Sequence, residues 1–235
     1  MTRKLLLDML YRLKKKDVAT YEHSIRVGKL AKIMASALHL NSQQTYDLVA
    51  GCLLHDIGKI HIPDELIKKE SPLTVSEWEV MKFHPVLGAN WAAKEGIENK
   101  CILEIIEYHH ERWDGAGYPY GLRGNFIPIF ARICTIIDAF DSMVHDRSYR
   151  KGMSAQEAKD ELLYQSQKQF DKNLVQIFLK IPVLQMKTSQ CLTFHIHDQE
   201  TNHSDFMKNI GFRRTGCCLK RDSSNKEQNK ELPWL

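Results

Sequence analysis

No Cys-x-x-Cys pair occurs in the 235 residues, although there are six cysteines, at 52, 101, 134, 191, 217 and 218. Their scatter, three of them within apolar helical segments, favours reduced, mostly buried thiols in a cytoplasmic protein over a disulfide framework. No apolar run approaches the ~18 residues that a membrane-crossing helix needs. The start, "MTRKLLLDMLYRLKKK", is basic and leucine-rich, but Asp8 and Arg12 interrupt it and no small-residue cleavage site follows. It therefore reads as an amphipathic helix packed on the core, not as a signal peptide. Charge of neither sign dominates. A net +4 permits an anionic substrate and does not argue for coating a nucleic-acid polymer.

With 43% hydrophobic and 26% charged residues, the chain has an ordinary globular composition and room for one sizeable domain plus a tail. Helical periodicity runs from the start to about Ile181, with no convincing strand and no internal repeat. The spacing predicts helices over about 20–39, 43–58, 75–94, 100–111 and 128–143. Another begins near Ser154, and "QFDKNLVQIFL" closes the helical part. Polar caps support two of these starts, "LTVSEWEV" and Ser154 with Glu157. The expected organisation is an amphipathic helix over 1–16, an all-α domain over 17–181 and an irregular, partly disordered tail over 182–235. In that tail His195, His197 and His203 lie near Cys191 and Asp198, as a second metal site or simply as exposed side chains.

The informative pattern is where ionisable residues interrupt apolar stripes. Positions three, four or seven apart share a helix face. His23 heads a stripe that continues through Val27, Leu30 and Met34, and His55 follows Leu48 and Cys52. Asp56 follows Val49 and Leu53, and His84 lies with Met81, Gly88 and Trp91. His109 and His110 follow Ile102, Ile105 and Ile106, while Asp138 follows Phe130, Cys134 and Ile137. One such histidine is most simply a satisfied core residue. Five segments doing the same point to convergence on one buried site. Five imidazoles and at least one carboxylate exceed the four ligands of a closed structural zinc site. Mixed nitrogen and oxygen donors at this count suit two divalent ions, iron or manganese before a thiolate-seeking metal. Lys59, on the same side as His55 and Asp56, neutralises the carboxylate or binds a phosphate.

Five segments, in unbroken order, are "HSIRV" from His23, "HDIGK" from His55, "HPVLG" from His84, "HHERWDGAGYPYGL" from His109 and "DAFDS" from Asp138. Over roughly residues 17–181 the chain thereby resembles the HD-GYP family, a branch of the HD phosphohydrolases. The resemblance implies an HD-domain helical bundle carrying a GYP loop. It implies two metal ions held by His23, His55, Asp56, His84, His109, His110 and Asp138, with His55, Asp56 and Lys59 at the catalytic centre. Lys59, Tyr118, Arg147 and Arg150 would contact substrate.

The implied activity is hydrolysis of cyclic di-GMP to the linear dinucleotide or GMP, by attack of a hydroxide held between the ions. Another phosphohydrolase substrate such as cyclic GMP-AMP, or a non-catalytic receptor or scaffold for the dinucleotide, stays open beside it. So does a homodimer or a regulatory protein partner, for which the N-terminal helix is a candidate surface. The chain departs from the family pattern at Ser148, where proline is favoured, and at His61, where glycine is common. Ala19 stands where some relatives carry a glutamate associated with a third metal, so two ions are expected. Glu111, Asp114 and Asp141 are assigned to anchoring the loop and helices.

Overall fold

The computed structural model describes residues 1–146 and 151–185. Arg147, Ser148, Arg150 and the tail histidines lie outside the described residues. Within them the chain is all-helical: α1 (Arg3–Lys16), α2 (Val18–Ala37), α3 (Ser42–Leu54), α4 (Asp64–Ile67), α5 (Val75–Met81), α6 (His84–Lys94), α7 (Lys100–Tyr108), α8 (Ile129–Val144), α9 (Ala155–Tyr164) and α10 (Lys172–Leu179). A 3-10 turn, Ile57–His61, follows α3. Ser166 and Phe170 form an isolated bridge, the single β-type pairing among the described residues.

Helix starts follow the local chemistry. Asp17 closes α1 through its N–H on the Leu13 carbonyl (2.8 Å), and its carboxylate accepts the Thr20 N–H (2.7 Å) to cap α2. Asn41 with Gln44, Thr74 with Glu77 and Ser154 with Glu157 form reciprocal capping boxes. The last two are starts that the sequence predicts.

Helix ends are where periodicity misleads. The helices expected over 43–58 and 100–111 stop at Leu54 and Tyr108, and the one expected over 75–94 breaks between Met81 and His84. At each stop an imidazole takes up a carbonyl near the helix end. The Nδ1 of His55 bonds the Cys52 carbonyl (2.8 Å), that of His84 the Met81 carbonyl (2.8 Å) and that of His109 the Ile106 carbonyl (2.9 Å). Each of these carbonyls would otherwise receive the N–H of the residue four further on. For Met81 that residue is Pro85, which has no N–H, so the break there is obligatory.

α1 turns Leu6, Met9, Leu10 and Leu13 inward against α2, α3 and the 3-10 turn, so its apolar face is already covered. Phe140 of α8 and Phe178 of α10 meet edge to face, 5.1 Å between ring centres, in the same buried core. Gly58 in the 3-10 turn presses on the start of α6. A Cβ there would collide with the His84 carbonyl oxygen and the Gly88 backbone. That close approach sets the turn bearing Lys59 against the helix bearing His84.

Candidate metal centre

Four imidazoles have one nitrogen fixed before any ion is considered. The Nδ1 atoms of His55, His84 and His109 are held by backbone carbonyls as described, and that of His23 lies 2.8 Å from the Asp141 carboxylate. A ring whose Nδ1–H is donated to such a partner presents Nε2 as its free lone pair. Those Nε2 atoms converge in pairs, His23 with His55 at 3.3 Å and His84 with His109 at 3.3 Å. Two imidazole nitrogens sharing one ion at bonds of about 2.1 Å stand roughly 3–3.4 Å apart, so each pair has the spacing of ligands to a common cation.

Asp56 lies between the pairs and gives one oxygen to each. Its Oδ2 is 3.4 Å from His55 Nε2 and 3.9 Å from His23 Nε2. Its Oδ1 is 3.2 Å from His84 Nε2 and 4.0 Å from His109 Nε2. Two clusters result, His23–His55–Asp56 and Asp56–His84–His109–His110, each able to offer ligand atoms within 4.8 Å of one another. Asp138 adds a carboxylate to the first, its Oδ1 2.9 Å from His23 Nε2. The donors are nitrogen and oxygen throughout. The free thiols of Cys52 and Cys134 are buried but belong to neither cluster.

The electrostatics of the two clusters differ. Burial drives the His109 imidazole well below its ordinary range and His110 down to about 3, with neighbouring histidines adding to the effect, so both rings are neutral at pH 7. At His23 burial also opposes the charged form. Hydrogen bonds to Asp138 and Asp141 outweigh it and raise the ring to about 9. Burial would raise the carboxyl of Asp56, but Lys59 and His55 hold it well below the usual carboxylate range. The Lys59 ammonium lies 2.7 Å from Asp56 Oδ2.

The GYP loop is tied down at both ends. The buried Glu111 carboxylate accepts the N–H groups of Tyr120 (2.7 Å) and Leu122 (2.9 Å). The N–H groups of Trp113 and Asp114 donate to the carbonyls of Gln169 and Lys168, beyond α9. Gly121 (φ 69°) and Gly124 (φ 58°) take the left-handed backbone that these turns require. The loop lays the Tyr118 ring on His110, 4.7 Å between centres and 27° from parallel.

The structure brings His23, His55, Asp56, Lys59, His84, His109, His110, Tyr118 and Asp138 together. Asp114 pairs with Arg112 and accepts the Ala116 N–H, away from the clusters. Arg26 was not legible as a site residue: its guanidinium clamps Asp141 from behind, Nε 3.1 Å from both carboxylate oxygens. The available signal was its spacing, three residues after His23 on the same face.

A family profile described as HD domain matches residues 7–174 of this chain. A cyclic di-GMP phosphodiesterase of Thermotoga maritima is 38% identical over 170 residues, covering 71% of this chain and 45% of that protein. The 3'3'-cGAMP-specific phosphodiesterase 2 of Vibrio cholerae is 33% identical over 162 residues, covering 68% of this chain and 31% of that protein. The chain thus spans less than half the length of these curated relatives. In fold it is similar to a cyclic GMP-AMP specific phosphodiesterase of Vibrio cholerae (TM-score 0.57, 21% identity, 80% of this chain and 53% of that one). It is also similar to an HDGYP protein of Bdellovibrio bacteriovorus (TM-score 0.55, 24% identity, 67% of this chain and 50% of that one). The chain belongs to the HD-domain family, in the branch marked by the GYP loop.

Proposed function

We propose that this chain is a metal-dependent phosphodiesterase that hydrolyses cyclic di-GMP to the linear dinucleotide, GMP or both. The observation that carries the reading is Asp56, whose two oxygens face two separate imidazole sets. Such an arrangement suits a carboxylate shared by two cations. His23, His55 and Asp138 would hold one ion, His84, His109 and His110 the other, and Asp56 both. Donors of this kind suit iron or manganese. When bound, such ions polarise a phosphoryl group and lower the pKa of water.

The chain's own residues supply the rest. The carbonyls of Cys52, Met81 and Ile106 and the Asp141 carboxylate fix ring orientation, so no side-chain search is needed during turnover. Lys59 places an ammonium beside the shared carboxylate, where it can meet charge growing on phosphoryl oxygens. Unpaired thiols at Cys52, Cys101 and Cys134 suit a reducing cytoplasm. The Vibrio cholerae relative named for 3'3'-cGAMP supports that dinucleotide as a second substrate.

The test is metal analysis of anaerobically purified protein together with a hydrolysis panel of cyclic di-GMP, 3'3'-cGAMP and cyclic di-AMP, with products identified. Two ions per chain and cleavage of cyclic di-GMP are expected. Two ions with tight binding but no cleavage would make the chain a receptor.

Asp141 gives a finer prediction. Asp141→Asn keeps the shape but removes the charge that holds His23. Ion binding should weaken about 10–100-fold, the usual cost of losing an outer-sphere partner. The loss should fall on one ion of the two, read as titration stoichiometry, because the other cluster has no link to Asp141.

A further inference from the structure

Three rings run outward from the second cluster. His110 is the innermost, Tyr118 stacks on it, and Trp78 of α5 meets Tyr118 edge to face with 6.0 Å between ring centres at 82°. Trp78 remains 44% exposed, so the series ends at the surface. An exposed tryptophan is ordinary by itself. Its place is not: it is the outermost member of an aromatic series that begins at a candidate metal ligand.

The support under it is firm. The capping box of Thr74 and Glu77 fixes the first turn of α5, and Lys69 pairs with Glu77 from the preceding loop. Tyr118 is half-buried with one face against His110, and Trp78 is the most exposed of the three rings.

Resting on the phosphodiesterase reading above, we infer that Trp78 is a substrate-binding residue that stacks on a nucleobase of the cyclic dinucleotide. A phosphodiester at the Asp56–His110 cluster carries its bases one ribose away, toward the rim. Every base has a π face, and tryptophan offers the largest complementary one. Stacking of this kind is tolerant of base identity. Trp78 therefore supplies affinity for dinucleotides as a class, not a choice between guanine and adenine.

The experiment compares the full metal-loaded chain with Trp78→Ala, Trp78→Leu and Trp78→Phe in cyclic di-GMP hydrolysis. Inorganic phosphate and GMP serve as competing inhibitors. Leucine fills much of the space without a π face, so it keeps the test valid if alanine disturbs α5. Alanine and leucine should raise KM about ten-fold, the scale of one lost base stack, and leave kcat within a factor of about two. Phenylalanine should stay near wild type. Inhibition by GMP should weaken in step with KM, while inhibition by inorganic phosphate, which has no base, should not move.

An unchanged KM in Trp78→Leu would overturn the inference while leaving the phosphodiesterase reading intact. Equal weakening of phosphate and GMP would also overturn it, by showing a general disturbance of the site. A wild-type chain that neither binds nor cleaves any cyclic dinucleotide would remove both.

Discussion

Asp56→Ala should leave a folded protein that retains neither ion and shows no turnover above background, a loss of at least about 10³ in rate. Asp56 is the one group in both clusters, so its removal takes a ligand from each. It also removes the anion that sits among four imidazoles and the Lys59 ammonium. Two divalent cations would then face each other with no shared negative charge between them. Asp56→Asn should behave nearly as badly, since it keeps the shape but not the charge. Metal content by mass spectrometry, with circular dichroism as a check on folding, decides the matter. Two ions retained in Asp56→Ala would sink the assignment. The carboxyl is held well below its ordinary range, so it contributes stability above about pH 4, where the unfolded group ionises. That contribution fades as pH falls through its depressed value.

Lys59→Met should separate binding from chemistry. The ammonium pairs with Asp56 Oδ2 at 2.7 Å. Bound cations would compete with Lys59 for the Asp56 carboxylate and leave its ammonium available to phosphoryl oxygens. Removing it should therefore keep both ions, or tighten them slightly because one competing cation is gone. It should cost about 10²–10³ in kcat, the scale for losing one preorganised donor to a developing anion. If Lys59→Met lost metal in proportion to activity, Lys59 would be a structural counter-charge and nothing more.

The convergence itself was visible in the linear chain. Apolar stripes interrupted by His23, His55, Asp56, His84, His109 and Asp138 required a common interior, and the long loop motif identified the family. The ends of α3, α5 and α7 were not visible, for a specific reason. Periodicity registers which face a residue occupies, not whether its ring reaches back for a carbonyl. A histidine near the end of an apolar stripe fits a continuing helix as well as a stopping one. Only at Pro85 did the sequence hold the answer outright, through the missing N–H. The anchoring of the loop was hidden differently. Its partners are the carbonyls of Lys168 and Gln169, more than fifty residues away and of no distinctive side-chain type.

The rings of His55, His84 and His109 each serve two masters, a helix end on one nitrogen and a candidate cation on the other. The candidate cradle is therefore built by the same contacts that shape the bundle. Substituting any of these rings damages architecture and chemistry in one stroke, so drift at these three positions is opposed from both sides.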